Sequence, residues 1–349
     1  MGKIKCTKKV IATIEKCYSV CPIKIRGIQG FLIGTEKAGG CFFFDLNGEM
    51  QETIWDDPGG IMSLVPTHQR EGEFLSTQEF YSPNDSKNAR IVLATPIEHG
   101  WQIKTMAHLP FVHRFDILST LDQDYLIACT LKSDHEYKED WTHPGKVYIS
   151  VLPDNLYETE KPFSFEILLE NLTRNHGYYR MNKGDRDFAI ISSENGVYKV
   201  KPPQQKGANW ECEKILDQAT SDATLIDLDQ DGEQELVTLS PFHGENLHVF
   251  RLVDGKFVLD FAYPEKLEFL HPIWSGNINK QPTVILGHRK GNRDLFALTY
   301  DQEKKSYTRQ TLDEDSGPAN VTFIKTVDKQ LIVATNRETN EVAMYILED

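Results

Sequence analysis

The sequence predicts an all-β protein closed into a ring, a single seven-bladed β-propeller spanning residues 1–349. Three observations carry this expectation. Apolar residues come in short alternating bursts with almost no helical period. The bursts recur roughly every 40–60 residues. The last repeat runs out of chain one strand short, while a spare strand stands near the N-terminus.

Each repeat opens on a short strand: "CPIKIRG" from Cys21, "MSLVPTH" from Met62, "HRFDILS" from His113, "HGYYRMN" from His176, "DATLIDL" from Asp222, "HPIWSGN" from His271 and "NVTFIKT" from Asn320. A more apolar second strand follows, as in "GFLIGT", "DYLIACTL", "QELVTLS" and "QLIVATN". A third comes after a polar loop, as in "CFFFDL", "VYISVL" and "LFALTY". Repeats of this length with several strands each mark a propeller. Insertions at "YSPNDSKN" in the second unit and "KSDHEYKEDWTHPG" in the third account for the uneven spacing. The seventh unit ends on its third strand, "EVAMYIL", so strand 8–14 ("KKVIATI") completes the last blade and removes an exposed sheet edge. The rival architecture, two packed sandwiches, needs a linker that interrupts the rhythm; "PDNLYETEKP" at 153–162 is its best boundary.

With 52 acidic and 38 basic side chains, the net charge is −14, which repels a phosphate backbone over most of the surface. Nucleic acid is therefore not an expected partner. The chain has no apolar run of the roughly 18 residues that span a bilayer, and "MGKIKCTKKVIATIEKCYSV" lacks a secretory pattern, so no membrane association and a cytoplasmic address are expected. The six cysteines are scattered and read as reduced thiols; Cys17 and Cys21 have no second pair to complete a zinc knuckle.

The fifth unit carries "LIDLDQDGEQELV", residues 225–237, in which Asp227, Asp229 and Asp231 alternate before Gly232 and Glu235 follows. Converging carboxylates suit a hard cation, and the first half resembles an EF-hand loop, although strands flank it and the closing acid comes early. This shortened loop resembles the calcium loops of FG-GAP or VCBS-type propeller repeats. The resemblance implies a structural calcium held by Asp227, Asp229, Asp231 and Glu235. The turns "TLDQDY", "NKGDRDF" and "TVDKQL" are weaker remnants of the same pattern. In an up-and-down blade this hairpin lies on the face opposite the openings of the first strands, away from a central funnel.

The funnel face gathers the strand openings, and three of the seven are histidines. His113, His176 and His271, with Asp222, form a candidate site for Mn²⁺, Zn²⁺ or Fe²⁺. The plain alternative is that each histidine caps its own strand through backbone hydrogen bonds. Loops between second and third strands add polar groups to the same face. Lys132, His135 and His143, in an insertion long enough to act as a lid, are candidates for proton transfer. Arg289 and Arg337 offer paired donors to a carboxylate or polarised carbonyl. Glu79, Trp141, His243, His288 and Asn320 complete the expected substrate side.

Histidines in the funnel together with an FG-GAP-like loop resemble the propeller portion of aldos-2-ulose dehydratase and, more remotely, oligogalacturonate lyase. This resemblance implies a metal-dependent lyase, dehydratase or isomerase acting on a small-molecule or oligosaccharide substrate. The alternative function is a non-enzymatic propeller that binds a protein or glycan on its funnel face.

Overall fold

The computed structural model describes residues 3–183, 186–205 and 207–348. Among them 28 strands form seven four-stranded antiparallel sheets, six of them meanders running outward in chain order and the seventh completed by the N-terminal strand. The first strands are Cys17–Ile25, Leu64–Pro66, Val112–Ser119, Gly177–Lys183, Asp222–Ile226, Leu270–Ile278 and Asn320–Lys325. Each touches the first strand of the next blade, and Asn320–Lys325 returns to Cys17–Ile25, so the ring is closed. Cys6–Thr13 pairs antiparallel with Glu341–Leu347 as the outer strand of the seventh blade, the closure that the spare N-terminal strand predicts.

The local patterns follow from position within a blade. Second strands such as Ile28–Thr35, Asp124–Thr130 and Gln281–His288 are buried along nearly all their length, because a neighbouring blade covers each face. That is why the apolar bursts in the sequence are nearly continuous. Outer strands such as Glu166–Leu172 and Lys256–Ala262 stay largely exposed. The core is accordingly divided into seams between blades; Phe31, Ile33 and Phe44 meet Leu331, Val333 and Met344 where the last blade closes on the first.

The segment 153–165 is no domain linker. It joins Val151 to Glu166 within the third blade and straps across the second. Phe163 N–H donates to the Met106 carbonyl at 2.8 Å, Leu156 N–H donates to Gln69 Oε1 at 2.7 Å, and the Arg70 guanidinium lies 4.3 Å from the Tyr157 ring centre.

A shared backbone device aims side chains at the mouth of the channel. Lys16, Gly60, Phe111, Arg174 and Phe269 all have left-handed φ (51°, 72°, 62°, 49° and 63°), and two residues after each comes Tyr18, Met62, His113, His176 or His271. In blades one, three and six the register also slips here, between Cys17 and Ser19, Val112 and Arg114, and Leu270 and Ile273. Such bulges re-aim a side chain at a sheet rim. The device corrects the frame in the first blade: the ring position belongs to Tyr18, not Cys21. Cys21 sits inside a nine-residue strand whose length hides where the blade begins.

Candidate functional site

The strand openings bring His113, His176 and His271 together, and the loop at 241–245 in the fifth blade adds His243. Ring centres lie 4.6 Å apart for His113 and His176, 4.7 Å for His176 and His243, and 5.4 Å for His243 and His271. The ligand nitrogens of His176, His243 and His271 all lie within 4.8 Å of one another. His243, expected on the substrate side, thus takes the place in the convergent trio expected for His113. His113 stands beside the trio with its Nδ1 buried and without a hydrogen-bond partner.

His243 is held by strain and stacking. Its φ of 46° is left-handed, uncommon for a residue with a side chain. Its ring stacks 4.0 Å from Phe242 and 4.3 Å from Phe269. The funnel is consequently no open cup: His113, His176 and His271 are 3%, 1% and 3% exposed.

Neighbouring acceptors fix the tautomers. His176 Nδ1 lies 2.8 Å from Asp222 Oδ2, to which the Ser221 hydroxyl also donates at 2.9 Å, so Nδ1 carries the proton and Nε2 the lone pair. Asp222, expected as a ligand, engages His176 Nδ1 and the Ser221 hydroxyl through Oδ2. His271 Nδ1 donates to the Ala319 carbonyl, which likewise leaves its Nε2 a lone pair. His243 Nε2 lies 3.2 Å from His176 Nε2 and must be the donor there, whereas Tyr18 O–H donates to His271 Nε2 at 3.1 Å. Burial above all pushes His113, His243 and His271 well below the ordinary imidazole value. A borderline metal needs imidazole lone pairs, and here those of His176 and His271 are capped by His243 and Tyr18.

The predicted loop residues fall elsewhere. Lys132 is 0% exposed; its ammonium donates to the Asp140 carbonyl at 2.7 Å and to Asn84 Oδ1 at 3.2 Å, and lies 4.2 Å from the Trp141 ring centre. His143 Nε2 lies 3.6 Å from Asp140 Oδ2, and the His135 ring meets Phe111 edge-on at 5.7 Å. The insertion is thus knitted to itself and to the 81–88 loop of the second blade, and reaches the histidines through Trp141, 5.6 Å from Phe242.

Arg289 Nε donates to Glu338 Oε1 at 2.8 Å, while Arg337 pairs with Glu36 and Glu338. Both guanidinia are therefore engaged by protein carboxylates. His288 is a satisfied core histidine: Nδ1 donates to the Lys290 carbonyl at 2.8 Å and Nε2 accepts from Asp294 N–H at 3.3 Å. Glu79 pairs with Arg90 at 3.2 Å. Asn320 braces the ring, its amide donating to the Tyr18 carbonyl at 2.8 Å and its oxygen accepting from Arg114 at 3.2 Å.

The acidic hairpin follows Asp222–Ile226, a strand that carries it roughly 15 Å from the histidines. Asp227, Asp229 and Glu235 converge there within 4.8 Å. Asp231 turns instead to Arg251, 3.2 Å away, which also holds Asp229 at 2.6 Å. Asp227 Oδ1 is buried without a partner, and burial pushes the Glu235 carboxyl up to about 7. The turns in "TLDQDY" and "TVDKQL" are closed by Thr120 N–H on Gln123 O and Thr326 N–H on Lys329 O. In "NKGDRDF", residues 184 and 185 lie outside the described residues.

Two grooves of about 1060 and 890 Å³ run between the outer parts of blades three and four and of blades four and five; neither lining includes a histidine. The convergent chemistry is at the axis. No protein-family model and no curated protein sequence matches the chain. Among solved structures it is similar to the Dos1 propeller, with a TM-score of 0.58 and 11% identity over 95% of this chain and 78% of that one. At that identity the likeness is one of fold, and with the sheets described above it makes the chain a seven-bladed β-propeller.

Proposed function

We propose that the propeller holds a divalent transition metal, Zn²⁺, Mn²⁺ or Fe²⁺, through His176, His243 and His271, and acts as a lyase, dehydratase or isomerase on a small sugar-derived carbonyl compound. The observation that carries this reading is the convergence of three imidazoles within 4.8 Å, two of them with Nδ1 committed to acceptors and Nε2 turned toward the other members of the cluster. When bound, the metal supplies Lewis-acid polarisation of a carbonyl oxygen.

His113 replaces the lid residues as the base. Its unpartnered Nδ1, on an imidazole that burial keeps neutral, takes the proton from the carbon beside that carbonyl. Phe242 and Phe269 exclude water, and the 241–245 loop must move to admit substrate. The FG-GAP resemblance, the unpartnered Asp227 oxygen and the convergent Glu235 support a structural calcium on the opposite face.

A second reading, a non-enzymatic propeller that binds a protein or glycan, draws support from the closure of the histidine cluster and from the engagement of Arg289 and Arg337 by Glu338 and Glu36. The two readings separate in one experiment. Protein stripped by a chelator and reloaded with Zn²⁺ or Mn²⁺ is assayed on keto-sugars for a conjugated carbonyl product by ultraviolet absorbance. One bound metal per chain, lost in His176→Ala, with metal-dependent turnover supports the enzyme. Metal uptake without turnover on any sugar supports the binding protein, and no uptake overturns the metal centre.

A further inference from the structure

Tyr18 belongs to no motif, yet the fold places its phenol against the metal-ligating edge of His271. The side chain is 2% exposed, its carbonyl is held by Asn320 and Thr335, and the Arg114 guanidinium lies 5.9 Å from its ring centre. Because His271 Nδ1 must donate to Ala319, the 3.1 Å contact at Nε2 has one possible sense: the phenol donates and the imidazole accepts. That lone pair is the one a metal held by the trio requires. The phenol and the metal compete for a single atom.

We propose that Tyr18 is the positioning residue of the axial centre: its hydroxyl caps His271 Nε2 while the trio is free of metal, and in the loaded protein donates instead to the oxygen standing in the fourth position. The inference rests on the three-histidine reading. Tyr18 remains a neutral phenol in both arrangements, so the exchange consumes and releases no proton. A donor fixed at that point favours ligands that present an oxygen gaining negative charge, a carbonyl becoming an enolate or a water becoming hydroxide, over nitrogen or sulfur ligands.

Co²⁺, as the metal alone, is the probe, titrated into chelator-stripped full-length protein. Tyr18→Phe keeps the ring and removes one hydrogen bond from the metal-free and one from the loaded protein, so its Co²⁺ affinity should stay within about threefold of wild type. The pH midpoint of the visible Co²⁺ spectrum, which reports deprotonation of bound water, should rise by about one unit because hydroxide loses a donor. A residue that only packs would weaken Co²⁺ binding and leave the midpoint unmoved; either result overturns the inference.

A wild-type protein that takes up no Co²⁺ overturns the three-histidine reading and this one with it. Uptake with a pH midpoint that is identical in wild type and Tyr18→Phe overturns this one alone. A second measurement does not depend on the variant folding. In metal-free wild type with ¹⁵N-labelled histidine, His271 Nε2 should resonate as an unprotonated, hydrogen-bonded nitrogen and lose that bond when Zn²⁺ is added. A protonated Nε2 in the metal-free protein overturns the competition.

Discussion

His176 Nδ1 lies 2.8 Å from Asp222 Oδ2, a buried contact that ties the fourth blade to the fifth at the mouth of the channel. A carboxylate in this position fixes the tautomer and raises the basicity of the nitrogen that the proposed metal would take. Asp222→Asn should weaken Zn²⁺ binding about 10- to 100-fold, as measured by competition with a chromophoric chelator. His176→Ala should abolish stoichiometric uptake altogether. Equal affinities in wild type and Asp222→Asn would remove the aspartate from the centre.

The depressed histidines set a pH dependence for metal-free protein. His113, His243 and His271 protonate less readily folded than unfolded, so their contribution to stability is full above the ordinary value near 6.5 and is lost as pH falls below it. Each adds a slope of up to about 1.4 kcal/mol per pH unit below that value. Urea midpoints of the chelated protein should therefore drop between pH 6.5 and 5, and less steeply in His113→Gln. A flat profile across that window would contradict the burial of neutral imidazoles.

Glu235 titrates in the opposite sense. Its carboxyl is pushed up to about 7, so the stability tied to its protonated form is full below the ordinary carboxylate value and is lost as pH rises through 7. Glu235→Gln keeps an acceptor for the Leu228 N–H and cannot ionise. Without calcium it should be about 1 kcal/mol more stable than wild type at pH 8. Calcium should raise the melting temperature of wild type and not of the variant; an equal response in both would remove the ion from this loop.

Closure by the N-terminal strand makes a mechanical prediction. Cys6–Thr13 pairs with Glu341–Leu347, and Lys8 lies 2.8 Å from Asp313 and 3.1 Å from Glu341. Deleting residues 1–13 should cost about 3–5 kcal/mol and leave an open strand edge, seen as a lower melting temperature and as aggregation in light scattering. A deletion variant as stable and monodisperse as the full chain would show that the ring does not depend on this pairing.

Much of the fold was legible because a propeller repeats its physics: each second strand is covered on both faces, so each writes a short apolar burst, and the seventh unit's missing strand was visible at the N-terminus. The first blade was misframed at Cys21 because the left-handed residue that marks the ring position two places earlier than Tyr18 is Lys16, which carries no signal of its conformation. Of the site, His113, His176, His271 and Asp222 were found by aligning strand openings. Their hydrogen-bond partners were not, because those depend on which atom faces which neighbour.

The sequence by itself determined the class of fold, the number of blades, their closure and the gathering of histidines at one end, since periodicity and chain order survive without coordinates. Tertiary structure alone decided that His243 joins His176 and His271, that Asp222 meets His176 and Tyr18 meets His271, and that Arg289, Arg337 and Lys132 are tied to partners within the fold. Those outcomes are set by distances of a few ångströms between residues tens to hundreds of positions apart. Tyr18 and His271, 253 positions apart in the chain and 3.1 Å apart across the closed ring, become neighbours only when the last blade packs against the first.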